Sequence, residues 1–380
     1  MNLINMNVHY SEMDSDSVMS SPKSEIQSYE TITATDSSIR LEFKRQVVEE
    51  GKRIYCVRFD PDDNRYLALG YSNGSIGIYR VNNLEQMSLL AESGMTDERL
   101  PVSCLRWRPK PTLDKERLLV SAGVDGNICY WNPLSSKLIA VIKPEKESSD
   151  LLCLDYTRDA TWLAAAGKRR SIKIFDDLKR SLIMKLKHKG QGGIPGHNNR
   201  IFSIKFDETG KLLVSASWDM TVKVWDLSSG TVIRNIFGPE VSGDSLDLIK
   251  ETILTGSHRP KNALQMWDLS SAKLIREIVW DPLKPSCSSR ILSAQFDKME
   301  CGLLAACGAS KNELRIFERN KEGIYNFAAG ATNIPSICST VDLGAKESLV
   351  AVGCVDGVCR MFEILKKEET DKGLKDFDLL

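Results

Sequence analysis

Apolar and polar residues alternate along the chain in short runs separated by tight turns, the pattern of strands that bury one face. The stretch SASWDMTVKVWD, residues 215–226, shows it most clearly. Leu212, Leu213 and Val214 lead in, Trp218, Asp219 and Met220 turn the chain, and Val222, Val224 and Trp225 resume the β pattern with Lys223 on the other face. A single hairpin of this kind is marginal in water and needs neighbours to cover its apolar side.

Those neighbours recur. The runs LALGYSNGSIGIY (67–79), LVSAGVDGNICYW (119–131), LAAAGKRRSIKIF (163–175), LVSASWDMTVKVW (213–225), ILTGSHRPKNALQMW (253–267), LAACGASKNELRIF (304–317) and VAVGCVDGVCRMF (350–362) all end on an aromatic after an alternating strand. The closing aromatics Tyr79, Trp131, Phe175, Trp225, Trp267, Phe317 and Phe362 fall 42 to 52 residues apart, which is a repeat. Each unit opens on an earlier strand, such as IYCVRF at 54 or IFSIKF at 201, and most close on a further one, such as KLIAVI (137–142), SLIMKL (181–186), TVIRNI (231–236) and KLIREI (273–278).

Four short strands in each of seven units predict an all-β fold, a seven-bladed β-propeller in which neighbouring sheets cover one another. After Phe362 only EIL precedes the charged run KKEETDKGLKD, so the seventh unit lacks an outer strand. SIRLEFKRQV (38–47) stands ahead of the first unit and belongs to none. This segment is expected to complete the last blade, because an open ring leaves unpaired backbone at both ends. The expected organisation is a flexible, acidic and Ser-rich segment over 1–37, the propeller over 38–365 and a charged tail over 366–380.

These repeats resemble the WD40-repeat proteins over roughly residues 38–365, and the fourth unit, from Gly196-His197 to Trp225-Asp226, is the best match. The resemblance implies a hydrogen-bonded tetrad of His197, Ser215, Asp219 and Trp225. A buried carboxylate beside an imidazole and an indole N–H is tolerable only in such a satisfied network. The first three residues also have the composition of a hydrolase triad, but no G-x-S-x-G elbow surrounds Ser215. Asn73 and Arg169 replace the turn aspartate in units one and three, Asp125 and Asp356 keep it, and no other unit has a matching Gly-His.

Formal charge balances at 51 basic and 51 acidic residues, which gives no bulk electrostatic case for nucleic acid or an anionic membrane. No run approaches eighteen apolar residues, and the opening MNLINMNVHYSEMDSD has no basic segment followed by an apolar core. A soluble, cytoplasmic protein is expected, with cytoskeletal or ciliary association and the nucleus as alternatives. Most of the ten cysteines, among them Cys56, Cys104, Cys129, Cys153, Cys307, Cys338 and Cys359, lie in candidate strands as small core fillers, and no C-x-x-C pair occurs. No metal site, cofactor or catalytic residue is therefore assigned. GQGGIPG (190–196) reads as an exposed inter-blade loop, Ser21-Pro22 as a possible phosphorylation dipeptide, and the final DFDLL as a peptide that a partner could anchor.

Without an assembled active site, the function must reside on a surface. The resemblance implies that the face carrying the inter-blade loops and the turns between second and third strands docks partners. In units three to five those turns place Lys168, Arg169, Arg170, Trp218, His258, Arg259 and Lys261 on one arc. A tryptophan among arginines has the composition of an interface hot spot, and the cations suit an acidic protein segment. The expected function is a non-catalytic protein-interaction scaffold in a multi-protein complex. The alternatives are a microtubule-associated component and a substrate-recognition subunit of a ubiquitin-ligase or chromatin complex.

Overall fold

The computed structural model describes residues 29–35, 37–91, 100–109, 117–143, 150–187, 193–282, 289–298, 302–345 and 348–366, and every regular element among them is a strand. The Ser21-Pro22 dipeptide, part of the glycine-rich loop and the tail beyond 366 lie outside those residues.

Seven antiparallel sheets form the blades. Blades one to five are the four-stranded meanders 54–90, 102–142, 151–186, 201–237 and 246–278. Blade six spans 291–332, and blade seven has three strands between 338 and 366. The orphan segment supplies the missing strand. Strand β2 (Ile39–Val48) pairs antiparallel with Val358–Lys366, with Phe43 opposite Phe362, and so joins the two ends of the ring.

A further strand, β1 (Glu30–Thr33), lies within the segment 1–37 that the sequence pattern marks as flexible. It pairs antiparallel with Tyr325–Thr332 and gives blade six a fifth strand. Two causes hold it there. Thr31, Ile32 and Thr33 are β-branched residues beside an otherwise open edge, and Tyr29 packs its ring 5.3 Å from Phe43 and 5.6 Å from Phe362.

Two irregularities repeat around the ring, both β-bulges. In the outer strands the register slips at Met87, Ile139, Ile183, Ile233, Ile275, Ala328 and Lys44, once in every blade. In the innermost strands it slips at Tyr55, Ser103, Leu152, Phe202, Leu292 and Ser339, in every blade but the fifth. A bulge re-aims the extra side chain, and the inner set has a consequence at the centre of the ring.

Candidate functional site

The innermost strands line a central channel, and one polar ring within apolar sequence is formed by their penultimate residues, or in blade five by the second residue of its four-residue strand. In blade order these are Arg58, Arg106, Asp155, Lys205, Asp247, Gln295 and Asp342. Three carboxylates each reach the next blade's backbone. Asp155 accepts from Phe206 N–H at 2.8 Å, Asp247 from Phe296 at 2.9 Å and Asp342 from Phe59 at 2.7 Å. Cations pair beside them: Lys205 Nζ lies 3.1 Å from Asp247 Oδ1, and Lys298 Nζ 3.0 Å from Asp342 Oδ1.

An odd ring cannot alternate charge all the way round, and blades one and two place two arginines side by side. Both are buried, at 5% and 8% exposure, and burial together with Arg106 pulls the Arg58 pKa below its ordinary value. Blade five relieves the conflict. Its innermost strand is short (Leu246–Ile249), and the loop before it sends Asp244 into the channel. Asp244 accepts from Arg106 Nη2 at 3.1 and 3.2 Å, forms an ion pair with Arg58 and accepts from Ser203 Oγ at 3.0 Å. Its neighbour Gly243 must be glycine, since a Cβ there would meet the Leu292 carbonyl oxygen at 2.1 Å.

Above this charged floor opens a cavity of about 400 Å³. Its walls include the bulged residues Tyr55, Leu152, Phe202 and Leu292, with Ile337 and Val355, and the floor includes Arg58, Asp244 and Thr340. Ser242 Oγ and Thr340 Oγ1 are buried there without a hydrogen-bond partner among the described residues. The mouth lies on the face of the turns between second and third strands. On that face Ser72 N–H donates to the Arg53 carbonyl, Lys168 to Asp150, Trp218 to Arg200 and Ala309 to Arg290, which ties each turn to the loop entering its blade. Sequence reasoning missed the cavity and the ring. The available signal was a charged or amide residue at one register of successive apolar strands.

Around this mouth the arc residues occupy three adjacent turns, and several also hold the framework. Lys168 pairs with Asp150 at 3.5 Å, Arg170 donates to the Asn198 carbonyl at 3.3 Å, and Arg259 donates to the Gly238 carbonyl at 3.3 Å. Arg169 and Lys261 are exposed. Trp218 is half-buried and does not stand out in water as its turn position suggests. Its indole N–H donates to Glu240 Oε1, and its ring meets Phe202 edge-on at 5.9 Å, so it buttresses a cavity wall. His258 Nδ1 is buried without a partner among the described residues, and burial, helped by Arg290, lowers its pKa.

Blade four brings the tetrad residues together. Trp225 Nε1–H donates to Ser215 Oγ at 2.8 Å, the Ser215 hydroxyl lies 2.7 Å from His197 Nε2, and His197 Nδ1 lies 2.9 Å from Asp219 Oδ2. Thr221 Oγ1–H adds a bond to Asp219 Oδ1 at 2.5 Å. Desolvation and hydrogen bonding set the charges. Burial lowers the His197 pKa, while bonds from His197, Thr221 and the Asn198 N–H hold Asp219 well below the usual carboxylate range despite its burial. The result is a neutral imidazole with its proton on Nδ1 beside an ionised carboxylate.

Spacing alone would pass for a catalytic triad, but Ser215 is 0% exposed and its oxygen already accepts the indole proton, so no carbonyl can reach it. Parts of the network recur: Trp131 donates to Ser121 at 2.9 Å and Trp267 to Thr255 at 3.0 Å. The turn acid has its own local task. Asp219, Asp125 and Asp356 each accept the N–H two residues on at 3.0 Å, and Asn73 does so at 3.2 Å, which closes the turn.

Asp219→Ala is expected to cost about 1–3 kcal/mol in urea unfolding at pH 7, because buried donors lose their acceptor. Between its depressed folded pKa and the unfolded value near 6.5, His197 binds more proton in the unfolded chain, so stability rises with pH across that window. Lowering the pH from 7.5 to 5.5 should therefore weaken the protein, and His197→Gln should flatten that decline. An unchanged midpoint for Asp219→Ala would contradict a stabilising tetrad.

The WD40 model, "WD domain, G-beta repeat", matches residues 93–132, 136–176 and 189–226, the last of which contains the tetrad. These WD40 repeats lie within seven antiparallel blades closed end to end, a seven-bladed β-propeller. It is 26% identical over 202 residues to the U3 small nucleolar RNA-associated protein 21 homolog of Schizosaccharomyces pombe, covering 52% of this chain and 20% of that protein. It is 30% identical over 162 residues to the Target of rapamycin complex subunit wat1 of the same yeast, covering 43% of this chain and 48% of that protein. It is 26% identical over 210 residues to the Transcriptional corepressor LEUNIG_HOMOLOG of Arabidopsis thaliana, covering 54% and 24%. The chain thus spans less than half the length of each of these relatives.

Proposed function

We propose that the protein is a non-catalytic scaffold that docks an acidic segment of a partner protein on the face holding the central cavity. One observation carries this reading: an apolar-walled cavity at the centre of a face whose adjacent turns present Lys168–Arg170 and His258–Lys261. Apolar walls supply contact area, while cations at the margin orient an anionic chain and raise its on-rate. Relatives named as a complex subunit, an RNA-associated protein and a corepressor support membership of an assembly. The eight described cysteines are buried and no disulfide joins them, which suits a reducing compartment, cytoplasm or nucleus.

The test is quantitative affinity purification of the full chain beside a Trp218→Ala, Arg169→Glu, Arg259→Glu variant whose fold is verified by circular dichroism. The variant should lose a defined set of partners, with at least a tenfold fall in affinity for those reconstituted with purified proteins. Retention of every partner at unchanged affinity would overturn the arc as the partner-binding surface.

A further inference from the structure

The course of β1 brings the N-terminal residues to the same face. Glu30 pairs with Thr332, and Ile334, just beyond it, donates its N–H to the Asn312 carbonyl in blade six's turn between second and third strands. Three residues later Ile337 lines the cavity. Tyr29, held between Phe43 and Phe362, therefore joins the fold at the rim of the cavity-bearing face.

Reach is ample. Four inter-strand steps of about 4.8 Å separate β1 from the innermost strand of blade six, roughly 19 Å in all. About six extended residues cover that distance, at roughly 3.3 Å each. Residues 1–28 precede Tyr29.

Charge and polarity also match. Residues 1–28 hold Glu12, Asp14, Asp16 and Glu25 against the single Lys23, and within them YSEMDSDSVM (10–19) interleaves three acids with Tyr10, Met13, Val18 and Met19. Arg53 lines the cavity, and Arg290 holds the same register, one residue before the innermost strand, in blade six. Both are exposed, with no carboxylate partner among the described residues. Beside the cavity, the hydroxyls of Ser242 and Thr340 are buried without a hydrogen-bond partner among the described residues.

We propose that the cavity is a docking site for an acidic linear segment studded with apolar side chains, and that its resident occupant is the chain's own stretch Tyr10–Met19. This rests on the reading of the same face as the partner surface, and it makes the N-terminal segment a competitor of partner proteins. A tethered segment acts at an effective concentration in the millimolar range, so even a weak intrinsic affinity keeps the site largely filled.

The test titrates a fluorescent peptide of residues 7–22 into the full chain, into a chain beginning at residue 29, and into a full chain carrying Glu12→Lys, Asp14→Lys and Asp16→Lys. Saturable binding is expected to the second and third, and at least tenfold weaker binding to the first, whose site is occupied in cis. Arg53→Glu with Arg290→Glu in the shortened chain should weaken binding at least tenfold, with the unfolding midpoint confirming an intact fold. A scrambled peptide of the same composition should not bind.

No saturable binding to the shortened chain, or equal binding to all three, overturns the proposal. So does stronger binding of a peptide of residues 371–380, which would make the C-terminal tail the better occupant. Peptide failure alongside arc-dependent partner capture would retire this occupant and leave the partner surface standing. Peptide binding with partners indifferent to the arc would retire only the arc.

Discussion

A chain shortened to begin at residue 49 will lose cooperative unfolding, whereas one beginning at residue 29 will keep a single cooperative transition. The difference is β2. Along Val358–Lys366 it satisfies the backbone of the final strand, and it buries Ile39, Leu41 and Val47 to 1%, 5% and 7% exposure. Burying side chains of this kind is worth about 1.5–3 kcal/mol each, so three contribute roughly 5–9 kcal/mol. That is comparable to the whole stability of a typical domain, about 5–15 kcal/mol. Phe362 would also lose Phe43, and β1 would go too, which uncovers blade six. Urea unfolding followed by circular dichroism and by limited proteolysis separates the outcomes. A 49–380 chain with the full chain's midpoint would show that the ring closes by other means.

The closure was legible because it is a question of counting: seven units, one missing strand and one orphan. The blades were legible because the alternation and the closing aromatics recur at a nearly constant interval. β1 was not, since four residues without a strong apolar alternation become a strand only when a neighbouring edge is open. The tetrad could be placed residue by residue because Gly196-His197 and Trp225-Asp226 mark its corners. The surroundings of Trp218 were not legible, because a turn position says nothing of Glu240 and Phe202, which lie 22 and 16 positions away and pack against it. The cavity depends on bulges, and a bulge is a difference of register between two strands that neither sequence states alone.

Removal of the Asp244 carboxylate should be the most damaging single substitution in the channel. Arg58 and Arg106 are both buried in neighbouring blades, and Asp244 is the carboxylate they share. Asp155 helps Arg106 at 3.6 Å, and the Gln295 amide can present its oxygen to Arg58 Nη1 at 3.2 Å, but neither neutralises the pair. Breaking a buried ion pair by deleting one partner costs about 3–5 kcal/mol, because a desolvated charge is left behind. Asp244→Ala is expected to fall in that range by urea unfolding and to respond little to added salt, since buried charges are poorly screened. Removing the stranded charge should reverse part of the loss. Asp244→Ala combined with Arg58→Met is predicted to be more stable than Asp244→Ala alone, because a flexible apolar side chain then fills the space of a cation with no partner. A cost below about 1 kcal/mol for Asp244→Ala, or a double variant weaker than the single, would mean that solvent already shields the two guanidinium groups and that the odd-numbered ring carries no electrostatic conflict.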